Sequence, residues 1–152
     1  MPLRTSQKKQ SRHYSGKKKR HTQKAQVIGD QLTGQIIATA FCAGKKHDLA
    51  LFHQSRTKML ASVDCFADSG YQGIAKEHKN SQTPKKKSKH HPLTDDDKAK
   101  NRAISRKRIG CEHIMGRLKV FRILSERYRN RRKRFGLRFN LLAAICNLEP
   151  GV

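Results

Sequence analysis

The 152-residue chain has no tryptophan and only 11 Asp and Glu, and the first acid along it is Asp30. Against these stand 35 Lys and Arg, a formal net charge of +24. Such an imbalance excludes an ordinary neutral domain. Like charges repel one another in a compact fold, and a polyanionic partner relieves that repulsion. Nucleic acid is the first candidate, because Lys and Arg release condensed counterions when they meet phosphate. An anionic membrane surface is the weaker candidate, since no long basic amphipathic helix carries bulky aromatics. No apolar run approaches the length of a membrane span. The opening "MPLRTSQKKQSRHYSGKKKRHT" lacks the apolar h-region of a secretory signal. The expected location is the cytoplasm, at the nucleoid.

Cysteine is also sparse. Cys42, Cys65, Cys111 and Cys146 are far apart, form no CxxC and sit among apolar neighbours. Buried free thiols are the expectation. A zinc site made from them and scattered histidines has no ligand spacing behind it.

What is present falls into a clear order. Residues 1–20 carry eight basic residues and no acid. With almost nothing to bury, residues 1–21 read as a flexible basic arm, with a turn invited at Ser15-Gly16. Residues 22–149 read as one domain and 150–152 as a tail. Two β-prone runs flank the turn-rich stretch Asp30–Gly34 and predict a hairpin. "LALFHQSRTKML" then predicts a helix through Leu49, Phe52, Arg56 and Met59 or Leu60, opened by Asp48. Val63–Ala67 predicts a strand, and the helix before it allows a parallel neighbour. Residues 76–92, with two prolines, read as a long loop.

"LTDDDKAKNRAISRKRIGCEHIMGRLKVFRIL" predicts one long helix capped by Thr94. Asp95, Asp96 and Asp97 suit the positive end of its dipole, and a metal cluster is their alternative. Ile104, Cys111, Met115, Leu118 and Phe121 or Arg122 form its inward stripe. In the last helix Leu137, Leu141, Ala144 or Ile145 and Leu148 share one face, and Pro150 with Gly151 ends it. The order as a whole predicts a mixed α/β domain.

Two carboxylates stand out. Asp68 lies just past the predicted strand, where α/β sheets place their active groups, and Gly70 and Gly73 free the backbone after it. Tyr71 could stack on a base or pack on the helix. Glu112 lies at the border of the apolar stripe of the long helix. Residues 102–138 hold 14 Lys and Arg with only Glu112 and Glu126 as acids. Glu112 is either a surface ion-pair partner of Arg108 or Lys119, or a metal ligand together with Asp68, since hard cations prefer carboxylate oxygens. The runs Lys17, Lys18, Lys19, Arg20 and Arg129, Arg131, Arg132, Lys133 are candidate phosphate contacts that position without reading sequence. Asp48 is read as a helix cap with His47 packing locally, and His90 and His91 face solvent.

"HYSGKKKRHTQKAQVIGDQLTGQIIATAFCAGKKHDLALF", "FADSGYQGI" and "RIGCEHIMGRLKVFRIL" with "RFGLRFNLLAAICNLE", taken in this order, resemble the C-terminal catalytic part of bacterial insertion-sequence transposases of the DDE type. The likeness runs from about Tyr14 to Glu149 and implies an RNase H-like fold. In that family three carboxylates bind two metal ions, Mg²⁺ or Mn²⁺. Asp68 matches the second acid, before a G-Y-x-G turn. Glu112 matches the third, with a basic residue ahead of it and G-R-L-K behind it. Ser15–Thr22 matches S-G-K-K-K-x-H-T, and His47 with Asp48 matches an H-D pair.

The family's first Asp belongs on a strand upstream of S-G-K-K-K, and no acid here precedes Asp30. Asp30 itself suits the hairpin turn. The resemblance therefore implies an incomplete RNase H-like α/β domain. Its first strand and first Asp would come from an upstream transposase polypeptide, and its substrate would be DNA. The chain alone is expected to bind DNA without cutting it. The competing expectation is a nucleic-acid-binding module of the ribosomal or nucleoid type, which has no reason to bring Asp68 and Glu112 together.

Overall fold

A computed structural model describes residues 14–15, 20–89, 92–126, 128 and 132–148. Strands β1 (Tyr14–Ser15) and β2 (Arg20–His21) pair antiparallel. The rest of the stretch read as a basic arm lies outside the described residues.

The hairpin expected around Asp30 is present. Strand β3 (Gln23–Gly29) pairs antiparallel with β4 (Ile36–Ala43). Its turn is set by Asp30, whose carboxylate accepts from the Leu32 amide at 3.0 Å and the Thr33 hydroxyl at 2.7 Å. These bonds favour the ionised form and hold the Asp30 carboxyl below its ordinary pKa. A register shift at Ile28/Gly29 ends the ladder. A Cβ at Gly29 would overlap the end of the Ile114 side chain, so the hairpin lies close on helix residues here.

Helix α1 (Asp48–Ser55) is shorter than its sequence pattern predicts. Arg56 turns left-handed at φ 51° and stops it, so Met59 and Leu60 fall outside. Strand β5 is Cys65–Phe66, and its parallel neighbour is β6 (Ser81–Gln82), inside the stretch expected to be loop. The crossover is made not by α1 but by two short 3₁₀ turns, Ser69–Tyr71 and Ile74–Lys76. Ile74 and His78 are buried in it, and the His78 ring is 2.6 Å from the Val63 carbonyl.

The expected long helix is three helices. Helix α2 (Asp95–Lys107) starts as predicted: Thr94 and Asp97 form a reciprocal capping box. Helix α3 (Ile109–Val120) and the short α4 (Arg122–Ser125) follow. The break at Arg108 has identifiable partners. The Gln31 amide donates to the Lys107 carbonyl at 2.5 Å, and Gly110 packs on the Gln31 side chain. The hairpin turn thus takes an acceptor from the end of α2, and Arg117 donates back to the Gly34 carbonyl at 3.0 Å.

Helix α5 (Phe135–Leu148) turns a different face inward from the leucine stripe. Phe139, Ala143 and Cys146 are buried, whereas Leu137 is 71%, Leu141 62% and Leu148 83% exposed. Phe139 and Phe135 meet Phe41 of β4 edge-on, at 5.1 and 5.5 Å between ring centroids. The main core joins Ile36, Ile114, Leu118, Phe139, Ala143 and Cys146. Asn147 bonds both the amide and the carbonyl of Ile36, at 2.8 and 2.9 Å, and satisfies part of the open edge of β4. All four cysteines are free thiols, but only Cys146 is buried; Cys42, Cys65 and Cys111 are half-buried.

Candidate functional site

Asp68 sits where β5 stops. The Ala67 amide makes the last bond to β6, donating to the Gln82 carbonyl at 3.0 Å. Asp68 then caps the Ser69–Tyr71 turn, with Oδ1 accepting from the Ser69 amide at 2.5 Å. Its side chain is 62% exposed. Gly73 completes the turn with φ 96°, a conformation that favours glycine.

Helices α2 and α3 cross the end of this strand at their junction. The Lys107 ammonium stands 4.9 Å from the centroid of the Phe66 ring. The Arg108 guanidinium, 20% exposed, lies 3.8 Å from Asp68 Oδ1. Cys111 is close enough to Cys65 to act electrostatically on it, while burial pushes the Cys65 thiol up. Lys107, Arg108 and Cys111 of the junction thus lie near Phe66, Asp68 and Cys65 respectively.

Glu112 is one helical turn past Arg108, and its amide donates to the Arg108 carbonyl at 3.2 Å. Residues four apart share a helix face, about 5–6 Å between Cβ atoms. Glu112 thus occupies the same side of the junction as the arginine that reaches Asp68. It is exposed, in the first turn of α3, and no ion pair to it occurs among the described residues. Neither Arg108 nor Lys119 forms an ion pair with Glu112 among the described residues, and Arg108 faces Asp68. No group of three His, Cys, Asp or Glu suited to a metal ion occurs among the described residues.

Asp48 does more than its sequence position suggests. His47 occupies the N-cap position of α1 without a side-chain bond. Asp48 instead pairs with Lys24 of β3 at 2.9 Å, and Lys24 also donates to the Lys46 carbonyl at 2.6 Å. The Asp48 carboxylate fills the space beside Gly70 that a Cβ would need. Tyr71 is pushed up to about 12, chiefly by burial and further by the charges of Asp48 and Asp68. The only sequence sign of this arrangement was the glycine two positions after Asp68.

Of the basic residues singled out, Lys119 and Lys133 are exposed and Arg108 is half-buried. Arg20 lies in β2 and Arg132 in the 3₁₀ turn Arg132–Arg134. Lys17, Lys18, Lys19, Arg129 and Arg131 fall outside the described residues, as do His90 and His91. The acidic triplet is accounted for locally: Asp95 pairs with Lys98, Asp96 with Lys100 and Asp97 with Lys85. No helix among the described residues is long and apolar enough to cross a membrane.

The described chain is mixed α/β, as expected from the order of its sequence elements. The family model for the transposase DDE domain matches residues 1–147. The chain is 47% identical over 148 residues to "Probable transposase for insertion sequence element IS702" of Microchaete diplosiphon, covering 97% of this chain and 54% of the relative. The protein belongs to the DDE transposase family of insertion sequences. It spans about half the length of the curated relative it matches. No solved structure matches the chain. Family membership gives no support to a ribosomal or nucleoid structural module.

Proposed function

We propose that this chain forms part of the catalytic core of an insertion-sequence transposase, with Asp68 and Glu112 as two of its metal-binding carboxylates and DNA as its substrate. The observation that carries the reading is the placement of Arg108. It bridges from the helix junction to Asp68, one turn ahead of Glu112.

The donor set suits Mg²⁺ or Mn²⁺. Magnesium is commonly held by one or two carboxylates together with substrate phosphate oxygens. The Ser69 amide and the Arg108 guanidinium both meet Asp68 at Oδ1, and Glu112 makes no ion pair among the described residues. When bound, such ions activate water or a 3′-hydroxyl and stabilise the leaving oxygen of a phosphodiester. The residues of this chain hold the carboxylates in place and bring cationic charge to the phosphate through Arg108. Arg20, Lys119, Arg132 and Lys133, with Lys17, Lys18, Lys19, Arg129 and Arg131, hold the DNA backbone and fix its register.

The family's first Asp comes, in this reading, from an upstream polypeptide segment that also supplies a strand of an RNase H-like sheet. The sheet arrangement supports this. Strands β3 and β4 form one two-stranded sheet, β5 and β6 another. Each of these two-stranded sheets has edges with which a further strand can pair. Without it the chain binds DNA at the nucleoid and does not cut.

Calorimetry with Mn²⁺ on the 152-residue chain tests the site. Binding is expected to be weak and to disappear in both Asp68→Ala and Glu112→Ala. Equal binding by all three proteins would overturn the assignment. Metal-dependent nicking of DNA by the chain alone, lost in Asp68→Ala, would overturn its inactivity.

A further inference from the structure

The segment Pro84–Lys89 contains Lys85, Lys86, Lys87 and Lys89. Four like charges in so short a stretch favour a loose chain, and ordering a residue costs roughly 1–2 kcal/mol in backbone entropy. Yet the start of the segment is tied on two sides. Asn101 of α2 grips the Lys85 backbone twice: its Oδ1 accepts from the Lys85 amide at 2.8 Å, and its Nδ2 donates to the Lys85 carbonyl at 3.0 Å. Lys85 Nζ pairs with Asp97 at 2.8 Å. Gln72, at the end of the Asp68 turn, donates to the Pro84 carbonyl at 2.6 Å. Lys86, Lys87 and Lys89 are left exposed, with no carboxylate at ion-pair distance among the described residues.

The place is as telling as the fixing. Strand β6 runs parallel to β5, so the lysine segment leaves the sheet at the same end as Asp68. Asn101 and Arg108 are seven residues apart on or at the end of α2, about 10 Å along the axis.

We infer that Lys86, Lys87 and Lys89 form a basic ridge, anchored at Lys85, that grips the DNA backbone beside the Asp68 end of the sheet, with Asn101 as the residue that positions it. This rests on the proposed DNA substrate. It adds to the candidate phosphate contacts a lysine segment separate in sequence from the runs at residues 17–20 and 129–133. Its ligand is the phosphodiester backbone, so it carries no base preference.

The test is the salt dependence of binding of the full chain to a short DNA duplex. Three chains are compared with the unaltered protein: Lys86→Gln/Lys87→Gln/Lys89→Gln, Asn101→Ala, and a charge-matched control, Lys45→Gln/Lys58→Gln/Lys79→Gln. Each lost phosphate contact lowers the slope of log K against log salt by about 0.9. The ridge variant is expected to lose about 2–3 from the slope, and the control variant less than 1. Asn101→Ala changes no charge and is expected to weaken binding several-fold at fixed salt. Equal slopes for the ridge and control variants, with circular dichroism showing both folded, would overturn the ridge. Undiminished binding by Asn101→Ala would overturn its positioning role. No binding by the unaltered chain would instead overturn the DNA-substrate reading on which the ridge rests.

Discussion

The guanidinium of Arg108 stands 3.8 Å from the carboxylate of Asp68, although the two residues belong to elements 40 positions apart in the chain. The distance is too long for a direct hydrogen bond and fits a partly solvated ion pair. The pair joins the helix junction to the end of β5, and it leaves Glu112 on the same helix face one turn on.

Arg108→Met tests what this pair contributes. Methionine keeps an apolar stem and removes the charge. Because Asp68 is 62% exposed, solvent screens the attraction, and the expected cost in urea unfolding is under about 1 kcal/mol. DNA binding is expected to weaken uniformly across sequences. A stability loss above about 2 kcal/mol would mean that the pair behaves as a buried one.

Gly70→Ala addresses the other flank of Asp68. The added methyl would overlap the Asp48 carboxylate, which the Lys24 pair holds in place. The expected destabilisation is about 1–3 kcal/mol, as for other overpacked sites. Removing the obstacle should restore much of it, so Gly70→Ala is expected to cost less in an Asp48→Ala background than alone. Additive losses in thermal or urea unfolding would show that the two residues do not press on each other.

The inward face of α5 gives a direct contrast. Phe139 is buried against Phe41, so Phe139→Ala is expected to cost about 3–5 kcal/mol. Leu141 is exposed, so Leu141→Ala is expected to stay within about 0.5 kcal/mol of the unaltered protein. The reverse ranking in urea unfolding would put the leucine stripe inside.

This contrast also shows where sequence patterns run out. Helix α5 is apolar on most sides, so its period marks two stripes, and only the aromatic ring of Phe41 on a distant strand decides between them. The hairpin was legible because Asp30–Gly34 carries its own turn chemistry. The start of α2 was legible for the same reason, since Thr94 and Asp97 are three apart. The break at Arg108 was not, because its cause, Gln31, lies 76 residues away. Strand β6 was hidden by its two-residue length and the polar sequence around it. In the site, a strand-end carboxylate could be read for Asp68, but the turn of Arg108 toward it, and of Asp48 toward Gly70, depends on tertiary packing alone.

Tyr71 offers a readout of that packing in solution. Burial disfavours its phenolate, and the charges of Asp48 and Asp68 add to the effect, lifting its pKa from 10.0 to about 12. Tyr71 should therefore ionise near pH 12. Comparison of ultraviolet tyrosinate titrations of the unaltered chain and Tyr71→Phe isolates its curve. The sign of the linked stability effect follows. Below pH 10 both folded and unfolded chains keep the proton, and the contribution is fully present. Between 10 and about 12 the unfolded chain loses the proton first, so folding stability falls as pH rises through that window. Asp68→Asn removes one of the two charges and should lower the Tyr71 pKa, with the burial effect remaining. A Tyr71 that titrates at its ordinary value in the folded chain would mean that the turn carrying Asp68 is not seated against α1.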